Sequence, residues 1–198
     1  MIDVLYLFGE VFYLESIVQF LYGHITTFIF FMVFLVNFVR TSRENRNSLK
    51  KDQAHEVLIL SVVMSVSYAI PMPFDYIYWL SEERSVYIPN TPYMVLDILT
   101  ILFIYSFVKI GTNLGKLCRL YLTIALGVNA SLFFLLQLDL LLIYEGLKEG
   151  DFWWFWTVFS YGINGSDLIM VLILVIQKDF LGWYKLAEKI KGANRALN

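Results

Sequence analysis

"FWWFWTVFSYGINGSDLIMVLILVIQ", residues 152–177, decides the fold. It opens with three tryptophans within four residues, Trp153, Trp154 and Trp156, and closes on a run that is almost wholly apolar. A segment this long and this apolar matches the ~20 residues that carry a helix across a bilayer. The tryptophan cluster suits the headgroup level, where the ring is apolar and its N–H finds a partner. One carboxylate, Asp167, stands inside the segment, eleven residues beyond Trp156. What environment accepts both features is the question that organises the rest of the chain.

Composition answers the first half. Of the 198 residues, 59% are hydrophobic, 18% aromatic and 16% charged, and the mean hydropathy is +0.65. A soluble domain carries about a quarter charged residues and could not hide this much apolar surface. The solvent is therefore lipid, and the expected fold class is all-α: a polytopic transmembrane helical bundle. Spans are expected at about 18–39, 56–72, 93–110, 118–143 and 153–177, forming one transmembrane domain over 1–177 followed by a tail, 178–198. Residues 4–39 are too long for one span, so an interfacial helix to about 17 precedes the first crossing. A tight hairpin at Gly23–His24 would raise the count to six, and one segment lying in the interface would lower it to four. The second span is the shortest and stops at Pro71 and Pro73, where a helix cannot easily continue.

Charge gives an orientation. The segments 40–51, 109–119 and 178–198 hold thirteen of the fifteen Lys and Arg, and only Arg84 and Lys148 fall elsewhere. The opposite connections, around "SEER" and "EGLKEGD", are acidic. With basic loops inside, the N-terminus is expected outside and the C-terminus in the cytoplasm, which agrees with five spans. A cell inner membrane is the expected location. The first Lys or Arg is Arg40, so no basic signal region is present and the first span acts as an uncleaved anchor. No lipidation motif stands at either end. The single cysteine, Cys118, excludes an intrachain disulfide and a cysteine metal cluster.

Three carboxylates fall inside expected spans: Asp97, Asp139 and Asp167. A charge at the bilayer centre costs roughly 2.5–3.5 kcal/mol on insertion scales, so such groups face a cavity or a partner. Asp97 and Asp139 are expected near the outer edge, within reach of water. Asp167 is expected about 21 Å in, past the midplane of a ~30 Å core. Thr157, Ser160, Asn164 and Asp167 share one helix face by their spacing. That stripe lines a water-accessible half-path, with Asp167 as a proton or cation site, or it is a seam hydrogen-bonded to another helix. The seam is the reading adopted, with Asp167 protonated, hydrated, or bonded to neutral groups such as Asn129 or Tyr161.

Small residues give packing signals. Ser61, Ser65 and Ala69 recur every four residues, and Gly127 and Ser131 repeat the spacing. Both let another helix approach closely, within the protomer or between copies. "GTNLG" (111–115) has the same spacing but is expected in a turn and is discounted. Glu10, Glu15, Gln19 and His24 are read as an outer surface, with a pH-sensitive rim as the alternative.

The tail "KDFLGWYKLAEKIKGANRALN" places Phe180, Trp183, Tyr184, Ala187 and Ile190 at helical spacing, with Lys185, Lys189 and Lys191 on the remaining surface. It is a basic amphipathic helix for an anionic leaflet or a docking partner. Arg40, Arg43, Arg46, Lys50 and Lys51 add a second basic surface. Membrane lipids, a homo-oligomer and a cytoplasmic protein partner are the expected contacts. Direct nucleic-acid binding is not expected.

Chemistry has no matching motif. "NGSD" at Asp167 and "VLD" at Asp97 invite comparison with the two-aspartate intramembrane proteases. The match fails, because Leu96 stands where the tyrosine would, Asn164 and Ser166 replace motif residues, and no PAL follows. Nucleophile-elbow, zinc-protease, phosphate-loop and potassium-filter motifs are missing too. No enzyme, cofactor or metal is expected. In size, absence of catalytic motifs, basic tail and span layout the chain resembles the KwaA family, the membrane component of the Kiwa anti-phage system. That resemblance implies an oligomeric sensor of phage-induced membrane change, paired with a cytoplasmic effector that binds DNA. The expected function is therefore a non-enzymatic oligomeric membrane sensor or scaffold that recruits or regulates a cytoplasmic partner. The alternative is an oligomeric pore for cations or protons.

Overall fold

The computed structural model describes residues 24–43, 48–73, 90–142 and 153–196. Among these, six helices form and no strand: α1 (Ile25–Arg43), α2 (Ser48–Ala69), α3 (Asn90–Ser106), α4 (Asn113–Leu142), α5 (Trp154–Ile176) and α6 (Trp183–Ala196). Helices α1, α4, α5 and the stretch Leu49–Pro73, which includes most of α2, are long and apolar enough to cross a membrane. Helix α3 is an apolar helix of 17 residues packed against α2 and α4. The chain is thus an all-α helical bundle of membrane type. The expected interfacial helix to about 17, the acidic connections, Arg46, Arg84 and Lys148 lie outside the described residues.

Helix ends depart from the expected spans both ways: α3 stops at Ser106 rather than 110, while two helices start early. Helix α2 starts at Ser48 rather than 56, and α4 at Asn113 rather than 118. Hydropathy marks where apolar sequence stops, whereas Lys, Gln and Glu are good helix formers and carry the helix onward. So "RTSRENRNSLKK" is mostly helix rather than a long loop. Helix α1 runs to Arg43, and α2 takes over four residues after it.

Helix α4 is the hub, touching α2, α3, α5 and α6, while α1 closes the bundle against α2 and α5. Only Phe30, Val33 and Asn37 of α1 are buried, one narrow stripe at spacings of three and four. Its other faces, like those of α3, are apolar and exposed, with Met32, Phe38, Leu99 and Leu102 more than half exposed. Lipid suits such a surface and water does not. With lipid outside, cohesion comes from close packing and interhelical hydrogen bonds rather than from expelling water.

The α2 ridge supplies both. Asn37 Nδ2 donates to Ser61 Oγ at 2.8 Å, and Ser65 Oγ donates to the Phe30 carbonyl at 2.9 Å. Ala69, a turn further, is exposed, so the ridge serves α1 only through its first two members. The Gly127–Ser131 pair plays no such part inside the protomer. A Cβ at Gly127 would meet nothing within 4 Å, and Ser131 is exposed and bonded to the Gly127 carbonyl at 2.7 Å.

"GTNLG" needs the opposite correction. Gly115 is buried in the first turn of α4, and a Cβ there would lie 2.1 Å from Glu56 Oε2. The Glu56 carboxylate accepts from the Gly111 amide at 2.7 Å, the Thr112 amide at 3.2 Å and the Thr112 hydroxyl. A carboxylate here satisfies amides at the start of α4 and complements the positive end of its dipole. Glycine is what lets α2 deliver it.

Three basic segments meet at this same end. Arg40 donates from both terminal nitrogens to the Val175 carbonyl at 3.2 Å, a cation on the last turn of α5. Asn37 reaches the Leu174 carbonyl at 3.2 Å, and Gln177 donates to Asn37 Oδ1 at 3.0 Å. Gln177 is left-handed, with φ of 57°, and its amide closes α5 on the Ile173 carbonyl. Arg119 lies 4.9 Å over the Tyr105 ring.

Candidate functional site

Away from the basic end, five helices present polar side chains to one another. Thr27 comes from α1, Ser67 and Tyr68 from α2, Asp97 and Thr100 from α3, Asn129 from α4, and Ser166 and Asp167 from α5. All but Thr27 and Tyr68 are buried. Thr27 donates to the Tyr68 carbonyl at 2.9 Å, and Ser67 and Thr100 hydroxyls lie 2.5 Å apart. The tier surrounds a cavity of about 190 Å³ whose lining reaches from Asp167 and Asp97 to His24, Pro71 and Tyr93. At ~30 Å³ per water that is room for roughly half a dozen molecules, with polar partners to hold them.

Asp167 is tied into this tier. Its Oδ1 accepts from the Tyr68 hydroxyl and from Asn129 Nδ2, the latter at 3.0 Å. Asn129 in turn accepts from the Ser166 hydroxyl, which also donates to the Ile163 carbonyl at 2.9 Å. The expected bond to Asn129 is present. The expected partner Tyr161 is 78% exposed, and Tyr68 on α2 takes its place. Neighbouring positions on α5 point to different sides, and Asp167 alone of the stripe turns fully into the bundle.

The rest of the stripe parts from it. Thr157 and Asn164 are exposed and Ser160 is half-buried. Asn164 Nδ2 donates to the Ser160 carbonyl at 2.7 Å, a bond within its own helix. Four residues at spacings of 3, 4 and 3 share one face about 80° wide, and the edge of the packed surface falls across it, so burial rises from Thr157 and Asn164 through Ser160 to Asp167. A single path from the tryptophans to Asp167 is therefore not built inside one protomer.

Asp97 was expected to be shallow and reachable by water. It is 7% exposed and lines the same cavity as Asp167, and among the described residues its Oδ2 has no hydrogen-bond partner. Position along each helix does not show that these two carboxylates line one cavity, because spacing within a helix leaves its placement against a neighbour open. Asp139 is buried elsewhere, accepting from Trp153 Nε1 at 2.5 Å. That bond ties α4 to the tryptophan cluster, while Trp154 and Trp156 stay exposed as interface anchors would.

Toward the basic end the cavity gives way to an apolar layer. Phe30, Met64, Ile104, Leu122, Leu126 and Met170 are all fully buried between the cavity and the basic end. The arrangement is a blind polar site in an apolar bundle.

At the basic end, α6 is fastened by one residue. Asp179 accepts from the Tyr121 hydroxyl at 2.5 Å, the Tyr184 amide at 3.3 Å and the Lys185 amide at 3.0 Å. It caps α6 and bonds it to α4 at once. Tyr121 also accepts from the Leu181 amide at 2.9 Å. Partial desolvation pushes the Asp179 carboxyl up, but Tyr121, the two amides and the Lys185 charge outweigh it and hold it below the usual carboxylate range. The anchor is present above the unfolded carboxylate value of about 3.9 and is lost as pH falls through the lower folded value. Protection of the Tyr184 and Lys185 amides, measured against their intrinsic exchange rates, is expected to be high at neutral pH and to fall below about pH 4. In Asp179→Ala it should be low throughout.

Arg43, Lys50, Lys51, Lys185 and Lys189 are exposed at this end. Lys191 belongs to α6. With Arg40, those five exposed residues are the basic residues singled out by sequence whose side chains are described, and they fall at one end; Arg46 lies outside the described residues. Comparison with protein-family models, with curated proteins and with solved structures finds no match for the chain.

Proposed function

We propose that the chain is a non-enzymatic sensor or scaffold of the cell inner membrane, with five spans, that assembles with copies of itself and recruits or regulates a cytoplasmic protein. The observation that carries this is the basic end: three separate segments converge there, and an amphipathic helix is capped and anchored beside them by Asp179. The positive-inside rule directs that end to the cytoplasm. Self-assembly is supported by Thr157 and Asn164, polar side chains on an outward face of α5 among exposed Trp154, Val158 and Leu168. Polar groups at a lipid-facing position call for another helix or for water. The reading agrees with the likeness in layout to the KwaA family and with a place in anti-phage defence.

The test is purification of the whole chain from its own membrane. An oligomer carrying a stoichiometric soluble protein is expected, with that protein lost from the double variant Lys185→Glu, Lys189→Glu while the oligomer persists. A strict monomer, or charge reversal without effect on the soluble partner, would overturn the proposal.

A further inference from the structure

We infer that the cavity between Asp97 and Asp167 is a binding site for one small hard cation, a proton or a monovalent metal ion. Two carboxylates line one small space in a low-dielectric bundle, and no Lys or Arg lines it among the described residues. Their mutual repulsion is strong at low dielectric unless a positive charge comes between them. Asp167 is already engaged by Tyr68 and Asn129, which fix its orientation. Asp97 is not: its Oδ2 is buried and has no bonding partner among the described residues. A buried carboxylate oxygen left in that state is costly, and a cation in the cavity supplies the missing contact.

The donor chemistry narrows the class. Every polar group named around the cavity except His24 offers oxygen or amide, which suits hard ions rather than thiophilic ones. Among the described residues no group of three His, Cys, Asp or Glu is placed to hold a metal. Two carboxylates with neutral oxygens and room for water fit a proton or a hydrated monovalent ion. The apolar layer beneath makes this a site of occupancy, reached from the end bearing His24, Pro71 and Tyr93. A ligand held there by five helices biases how they pack, which is what a sensor needs of its stimulus. The inference stands apart from recruitment at the basic end, since either can fail alone.

The experiment uses the full chain in lipid nanodiscs. Thermal unfolding is followed in lithium, sodium and potassium chloride against choline chloride at equal ionic strength, from neutral to mildly acidic pH. If a metal ion is the occupant, one salt raises the midpoint by roughly 5–10 °C at about a hundredfold excess over its dissociation constant. If the proton is the occupant, the salts act alike and acidification raises the midpoint instead. Infrared difference spectra then show a protonated carboxyl that is missing from Asp97→Asn. Either response should vanish in Asp97→Asn and persist in Asp139→Asn, whose carboxylate lies elsewhere. The titratable groups facing the cavity are His24, Tyr68, Tyr93, Asp97 and Asp167, so His24→Asn is run in parallel to remove its own titration. Midpoints that respond to salt and pH identically in the wild type and in Asp97→Asn would overturn the inference.

Discussion

Gly115→Ala is expected to destabilise the bundle by about 2 kcal/mol, although alanine is the better helix former by about 1 kcal/mol. The new methyl would stand 2.1 Å from Glu56 Oε2 and 2.7 Å from Ile110 Cγ2. The Glu56 side chain has to swing away, and the Gly111 and Thr112 donors then lose a charged acceptor. Each hydrogen bond to a charged group contributes about 1.5–3 kcal/mol, which outweighs the gain in propensity. The decisive form is a double-mutant cycle measured by reversible unfolding in mixed micelles. In a Glu56→Ala background only the 2.7 Å approach to Ile110 Cγ2 remains, so Gly115→Ala should cost clearly less than it does in the wild type. Additive costs would mean that Glu56 does not explain the glycine.

The second large effect is at Asn129. Replacing it by leucine removes a donor from Asp167 and the acceptor of Ser166, both buried. Interhelical hydrogen bonds in membranes average only about 0.6 kcal/mol, because the unfolded chain in the bilayer finds partners too. A carboxylate with a lost donor costs more, about 1–3 kcal/mol for each group left unsatisfied. Asn129→Leu is therefore expected to cost about 3 kcal/mol, and Tyr68→Phe, which leaves Asn129 in place, about 1 kcal/mol. Adding Asp167→Leu to Asn129→Leu should recover part of the loss, since the under-bonded carboxylate is removed and only the Tyr68 hydroxyl newly loses its acceptor. Unfolding midpoints that put Tyr68→Phe above Asn129→Leu in cost would contradict the arrangement.

Local quantities made much of this protein legible in sequence. The lipid environment, the helical class and the crossing that begins at "FWWFW" follow from hydropathy and aromatic placement, which a segment carries by itself. The gathering of Arg40, Lys50, Lys51 and Lys185 at one end follows from alternating crossings, which turn a sequence of loops into two faces. Asp167 bonded to Asn129 was also expected, because both sit deep in their spans and few neutral donors do.

What the tertiary structure alone decided concerns rotation and depth. Asp167 and Asn164 are three residues apart, yet one is buried and the other faces outward, because the boundary of α4 falls between them. Asp97 and Asp167 share a cavity, a meeting that spacing within either helix cannot encode. Gly115 carries its meaning mainly through Glu56, fifty-nine positions earlier in the chain. A helix fixes the angle between its own side chains to within its 3.6-residue turn. Its rotation and height relative to a neighbour are set by packing between helices, and those two numbers decide which carboxylates meet.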